Sequence, residues 1–276
     1  MQDHREALAP IGDQPIGVFD SGLGGLSVLR HIRALLPHED VLYFADSGFV
    51  PYGGRPDHEI AERSLAVADF LQRQGIKALV VACNTATAAA IKALRARYPA
   101  LPLVGVEPGL KPAAALTQTK TVGVLATEST LASAKFAALR DELAAATGVR
   151  FLSQPCVGLV EQIEKGELQS AATALLVKRY VAPLLEQGAD TLVLGCTHYP
   201  FVQALIEEVA ARPVAIVDTG EAVARQLARL LAQHGLQHQS EAPGALHAYA
   251  TGSVSTLENG FARLLRLDIA VAPIAN

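Results

Sequence analysis

Two short stretches hold the residues best suited to chemistry. "LVVACNTATA" (79–88) and "TLVLGCTHYP" (191–200) each close an apolar run with a cysteine, followed by hydroxyl, amide or imidazole side chains. A thiol acts as base or nucleophile through its thiolate, and its free pKa of about 8.5 falls at a helix N-terminus or beside a cation. Cys83 and Cys196 each stand where a strand is expected to give way to a helix, so both are expected to have lowered thiol pKa values. Asn84, Thr85 and Thr197 can cap such a helix or donate to a ligand carboxylate. His198 is placed to orient Cys196 or exchange a proton with it, and Asp20 to serve Cys83 from a neighbouring strand end. Spacing alone shows neither contact.

Two proton-transfer groups on opposite faces of one carbon suit a reaction that removes a proton from one side and returns it from the other. Simpler readings compete with this one. A lone cysteine at a strand end is ordinarily a small buried hydrophobe, and Cys156 in "QPCVGL" is read that way. For Cys83 and Cys196 the paired context favours chemistry. "DSGLGGLS" (20–27) lacks the GxGxxG and Walker patterns, so its glycines are taken to let the backbone approach a ligand at a helix N-terminus. "PYGGR" from Pro51 is by itself a turn. The histidines show no metal-ligand spacing, and two cysteines with one histidine do not make a zinc set, so no metal is expected.

The elements that must position these residues are legible as alternation. Short apolar runs at 16–19, 41–44, 79–82, 103–106, 122–125, 191–194 and 214–217 read as strands. Amphipathic stretches at 59–74, 86–98, 132–146, 170–187 and 201–211 read as helices. This spacing predicts βαβ units and mostly parallel sheets. A pseudo-repeat runs through it: "IGVFDSG" at Ile16 matches "VGVLATE" at Val122, "LVVACNT" at Leu79 matches "LVLGCTH" at Leu192, and "PLVGVEP" at Pro102 matches "PVAIVDT" at Pro213. Three matches in one order and at nearly constant offset predict an α/β fold of two pseudo-symmetric, doubly wound domains. Ligands of such sheets bind outside the carboxyl ends of the strands. If the two edges face each other, the two cysteines meet across one cleft.

Composition sets the outer limits. The 276 residues span one large or two ordinary domains, and half are hydrophobic, enough for full cores. The net charge of −4 and the lack of a dense Lys/Arg run show no nucleic-acid footprint. The first fifteen residues lack signal-peptide character, and no run of about 18 apolar residues suggests a membrane span. Three scattered cysteines without a CxxC point to a reducing cytoplasm rather than a disulfide framework.

At the same residues the chain resembles the glutamate racemases. The matching motifs are "GVFDSGLGGLSVL" from Gly17, "PYG" from Pro51, "ACNTATA" from Ala82, "GVEPGLKPA" from Gly105, "LGCTHYP" from Leu194 and "DTGEAVAR" from Asp218. They follow the family's order from Ile16 to about Leu231. The resemblance implies a discontinuous first domain (1–106 with 215–276) and an inserted second one (107–214), with the active site between them. It also implies cofactor-independent interconversion of L- and D-glutamate, supplying D-glutamate for peptidoglycan, by a homodimer. Cys83 would deprotonate D-glutamate with help from Asp20, and Cys196 would deprotonate L-glutamate with help from His198. Ser21, Pro51, Tyr52, Gly53, Asn84, Thr85, Thr127, Thr130 and Thr197 would hold the substrate, and Glu161 would lie near the second cysteine. No pyridoxal phosphate is implied. Activation by a UDP-linked cell-wall precursor, seen in some members with N-terminal extensions, is left open.

Three other readings remain at this point. An aspartate racemase or related isomerase would share the paired cysteines and differ in the groups that measure side-chain length. A binding protein would capture a small anion in the cleft and use the cysteines structurally. A dithiol redox protein is disfavoured by the absence of CxxC.

Overall fold

A computed structural model describes residues 11–274; of the N-terminal stretch read for leader character, residues 1–10 lie outside it. The chain starts with β1 (Ile16–Asp20), α1 (Leu26–Leu35), β2 (Val41–Ala45), α2 (Asp57–Arg73), β3 (Ala78–Val81), α3 (Asn84–Arg97) and β4 (Leu103–Gly105). It continues through α4 (Leu110–Leu116), β5 (Thr121–Ala126), α5 (Glu128–Ala132), α6 (Ala134–Thr147), β6 (Arg150–Pro155), α7 (Leu159–Glu164), α8 (Ala171–Glu186), β7 (Thr191–Gly195), α9 (Gln203–Ala210) and β8 (Ala215–Val217). It ends with α10 (Gly220–His234), β9 (Leu246–Ala250), α11 (Val254–Gly260) and β10 (Val271–Pro273). Among the described residues no helix is long and apolar enough to cross a membrane.

The strands form two sheets, ordered β10-β9-β2-β1-β3-β4 and β6-β5-β7-β8, with every neighbouring pair parallel. Strands buried on both faces need continuous apolar sequence, and alternate side chains serve opposite layers. Ile16 and Val18 join one core with α1 and α10, while Phe19 joins another with α2 and α3. The second sheet is likewise covered on both faces.

The segment β2-β1-β3-β4 of the first sheet has the same order as β6-β5-β7-β8 of the second. The three strand pairs matched by the repeat, β1 with β5, β3 with β7 and β4 with β8, hold equivalent places. One boundary needs correction. The division expected at 214/215 gives the strand after Pro213 to the first domain, but Ala215 pairs with Thr191 and the strand extends the second sheet. The chain returns to the first sheet only with α10, whose Val223, Ala224, Leu227 and Leu231 share a core with Leu26, Leu29 and Ile32.

Gly17 and Gly123 occupy the same place in the two central strands. A β-carbon on Gly17 would lie 2.9 Å from Ile76 Cδ1, and one on Gly123 would lie 2.7 Å from Leu192 Cδ2 and 2.8 Å from Leu184 Cδ1. Side chains of neighbouring elements therefore press on the central strand of each half, Leu184 of α8 at Gly123, and Ile76 of the turn before β3 with Leu71 of α2 at Gly17. Overpacking of this kind costs about 1–3 kcal/mol. Gly123→Ala should lower the unfolding free energy in urea by about that amount; an unchanged denaturation midpoint would show that Leu184 and Leu192 yield freely.

Candidate active site

The carboxyl edges of the two sheets meet around a cavity of about 140 Å³. Its size suits a small metabolite, being below the roughly 300–1,000 Å³ of drug-sized pockets. From the first sheet come Ser21 after β1 and Cys83, Asn84 and Thr85 after β3; from the second come Thr127 after β5 and Cys196, Thr197 and His198 after β7. Pro51, Tyr52, Gly53 and Glu161 complete the expected residues on the wall. Two others stand behind it. Asp20 is fully buried, accepting from Gly22 N–H at 2.9 Å and from Thr197 Oγ1 at 3.5 Å. Thr130, expected to touch substrate, instead accepts from Thr127 Oγ1 at 2.9 Å.

Cys83 caps α3, and its Sγ accepts the Ala86 N–H at 3.4 Å. The expectation of a lowered thiol pKa fails here. Burial and the nearby Asp20 charge push this thiol above its ordinary range, outweighing the Ala86 amide and the Ser21 hydroxyl. Ser21 Oγ, at 3.7 Å, is the side chain in contact with Cys83. Asp20, expected to assist this thiol, acts on it through charge, with its own hydrogen bonds directed elsewhere. Burial also raises the Asp20 carboxyl pKa, against the lowering effect of His198 and of the Gly22 and Gly25 amides.

The Cys196 side is built differently. Its Sγ lies 3.6 Å from His198 Nδ1, and His198 Nε2 lies 2.6 Å from Glu164 Oε1. The same carboxylate oxygen accepts the Leu23 N–H of the first sheet's loop at 2.7 Å. Burial works against protonating His198, but its hydrogen bonds to Cys196 and Glu164, with their charges, prevail and hold its pKa well above the usual range. Glu164 is the residue that sequence reasoning missed. Glu161 and Glu164 lie three residues apart on α7, so they are neighbours on one helix face. Nothing in the "LVEQIEKG" pattern chooses between them. Cys156, read as a buried hydrophobe, is buried and also lies on the cavity wall.

The walls are tied together across the cleft. Thr85 Oγ1 meets Thr127 Oγ1 at 3.0 Å, Ser129 Oγ donates to Gly53 O at 2.7 Å, and Ser27 Oγ donates to Thr197 O at 2.8 Å. Tyr52 is held from behind by the fully buried Asp46, which accepts its hydroxyl at 2.5 Å. Asp46 also accepts both arms of the Arg63 fork, at 3.0 and 2.7 Å, and the Thr251 hydroxyl at 2.9 Å. Among the described residues the wall bears no lysine or arginine, so an anion would rest on hydroxyls, the Asn84 amide and the N-terminus of α3. No three His, Cys, Asp or Glu among the described residues are grouped to hold a metal.

The fold and site define a class, two-domain α/β proteins with a thiol from each half in one cleft, and comparison with known proteins places the chain within it. The family described as "Asp/Glu/Hydantoin racemase" matches residues 16–227. A glutamate racemase of Ectopseudomonas mendocina is 56% identical over 244 residues, covering 88% of this chain and 92% of that protein. The crystal structure of a glutamate racemase isoform from Bacillus anthracis superposes with a TM-score of 0.84 at 33% identity, covering 95% of this chain and 97% of the other. The Escherichia coli glutamate racemase, solved with L-glutamate and the activator UDP-MurNAc-Ala, superposes with a TM-score of 0.82 at 32% identity, covering 95% and 98%. The chain belongs to the aspartate/glutamate racemase family, in its glutamate racemase branch, and is an isomerase.

The raised His198 pKa makes a stability prediction. A group whose folded pKa exceeds its unfolded value of about 6.5 contributes stability that is complete below that value and lost as pH rises through the folded one. The advantage of the unaltered protein over His198→Asn should therefore be greatest below about pH 6 and decline through the alkaline range, by up to about 1.4 kcal/mol per pH unit. Urea midpoints at several pH values check this, and an advantage that grows with pH would reverse the sign.

Proposed function

We propose that this protein interconverts L- and D-glutamate without a cofactor, Cys83 and Cys196 addressing opposite faces of Cα. The observation that carries this reading is that the two thiols, from equivalent strand ends of the two halves, line one small cavity. With L-glutamate bound, the Cys196 thiolate takes the Cα proton, and the electron pair spreads into the α-carboxylate. The Cys83 thiol then delivers its proton to the opposite face, leaving Cys83 as thiolate and Cys196 as thiol. With D-glutamate the roles exchange. His198 serves Cys196 through their hydrogen bond, and the buried Asp20 charge sets the field around Cys83.

The substrate carboxylates rest on the hydroxyls of Ser21, Thr85, Thr127 and Thr197, the Asn84 amide and the α3 N-terminus, with Tyr52 and Gly53 closing the wall. Thr130 supports Thr127 from behind. In the cell the protein works as a cytoplasmic homodimer supplying D-glutamate for peptidoglycan. Its second domain is inserted in the first over about residues 107–217, a span that keeps β8 with its sheet.

Circular dichroism of the amino acid, with reducing buffer and no added cofactor, tests the reading. Signal from either glutamate enantiomer should decay to zero while aspartate is untouched. Cys83→Ser and Cys196→Ser should each lower kcat by about 10²–10⁴, the usual range for loss of a positioned acid–base group. Turnover of aspartate instead would move the protein to the neighbouring specificity, and full activity in either serine variant would remove the two-thiol mechanism.

A further inference from the structure

The two thiols differ in what lies behind them. Behind Cys83 stand Ser21, the Ala86 N–H and the fully buried Asp20. Behind Cys196 an unbroken line of ionisable groups runs outward: Sγ to His198 Nδ1 at 3.6 Å, then His198 Nε2 to Glu164 Oε1 at 2.6 Å. The His198 side chain is 3% exposed and that of Glu164 12%. Glu164 also lines a second cavity of about 380 Å³, together with the exposed Lys165, Asn259 and Arg263. One water needs only roughly 10–15 Å³. A third cavity of about 340 Å³ lies between the two, sharing Val50, Pro51, Val160 and Glu161 with the substrate cavity and Glu164, Lys165 and Thr256 with the outer one. His198 lies on the inner wall and Glu164 on the outer one, and their hydrogen bond crosses between the two.

A two-thiol racemase has a chore between turnovers. After conversion of L- to D-glutamate, Cys196 holds a proton it must lose and Cys83 lacks one it must regain. We infer that Cys196 exchanges this proton with solvent through His198 and Glu164 into the outer cavity. Once Cys196 is a thiol its charge no longer favours the imidazolium. With His198 carrying a single proton on Nε2, the S–H proton passes to Nδ1 as the Nε2 proton passes to Glu164, which releases a proton to water in the outer cavity. One proton leaves for each that enters the line, and no oxidation state changes. The return runs in reverse. Cys83 has no such line behind it and is reprotonated by water entering the substrate cavity once product has left. Glu164 acts through His198 and does not touch substrate. This inference rests on the glutamate reading above.

The test is recovery of turnover by a diffusible proton carrier. Glu164→Gln keeps an oxygen for the Leu23 N–H but cannot take up and release a proton. Its kcat at saturating L-glutamate should fall by about 10²-fold, with KM little changed, and imidazole buffer raised at constant pH and ionic strength should restore it. The unaltered enzyme should show no dependence on imidazole. Circular dichroism of the protein backbone checks that the variant folds. If it does not, Glu164→Asp, whose carboxyl is one methylene short of His198, should show a loss that imidazole restores in the same way. A kcat unaffected by the substitution, or a loss that imidazole leaves in place, would overturn the relay, because a purely structural defect does not respond to a proton carrier. Failure of the unaltered protein to racemise glutamate would instead overturn the reading on which the relay rests.

Discussion

The proposed action on both faces of one carbon would require two bases on opposite sides of one small space. Parallel α/β sheets meet this constraint by geometry. Every strand of a parallel sheet delivers its following residue to the same edge, and two such sheets placed edge to edge enclose a cleft lined by strand ends. Here β3 delivers Cys83 and β7 delivers Cys196, from matched places in the two sheets. The cross-cleft bonds, Thr85 with Thr127 and Ser27 with Thr197 O, hold the two edges at that spacing. The close approach of neighbouring side chains at Gly17 and Gly123 packs the centre of each half.

Matched placement does not make the two sides chemically alike. Burial dominates Cys83, so its helix-terminus amide and Ser21 only soften an upward shift. Cys196 has a basic partner within 3.6 Å, backed by a carboxylate. The duplication is exact in strand order and loose in side chains, and the acid–base character of each half comes from the loose part. Glu164 also joins the halves, since its one carboxylate oxygen accepts from Leu23 of the first and faces His198 of the second. The geometry of the Cys196 side thus depends on the two halves being closed together.

The Tyr52 wall shows a similar dependence on distant sequence. Asp46, at the carboxyl end of β2, gathers Tyr52, Arg63 of α2 and Thr251 beyond β9. The Arg63 guanidinium also lies 3.7 Å over the Phe49 ring. A buried carboxylate is tolerated when it is paired and fully hydrogen-bonded, and this one anchors the loop that carries Pro51, Tyr52 and Gly53 to the cavity.

By itself the sequence determined the α/β class, the alternation of elements, the two-half repeat and the two cysteine motifs. These are local or periodic signals: apolar runs mark doubly buried strands, and a duplicated strand–thiol–helix pattern survives as a matching string. Three strands escaped: "RFLSQP" of β6, "LHAYA" of β9 and "VAP" of β10 are too polar or too short to stand out as buried runs. The repeat pairs Pro213 with Pro102, yet nothing in the sequence places the strand after Pro213 in the second sheet, since a three-residue apolar run carries no record of its partner. Only the tertiary structure decided that Glu164 rather than Glu161 meets His198, that Asp20 and Thr130 stand behind the wall, and that burial outweighs a helix terminus at Cys83. Each of these depends on which side chains from remote segments share a desolvated space, and linear spacing holds no measure of that.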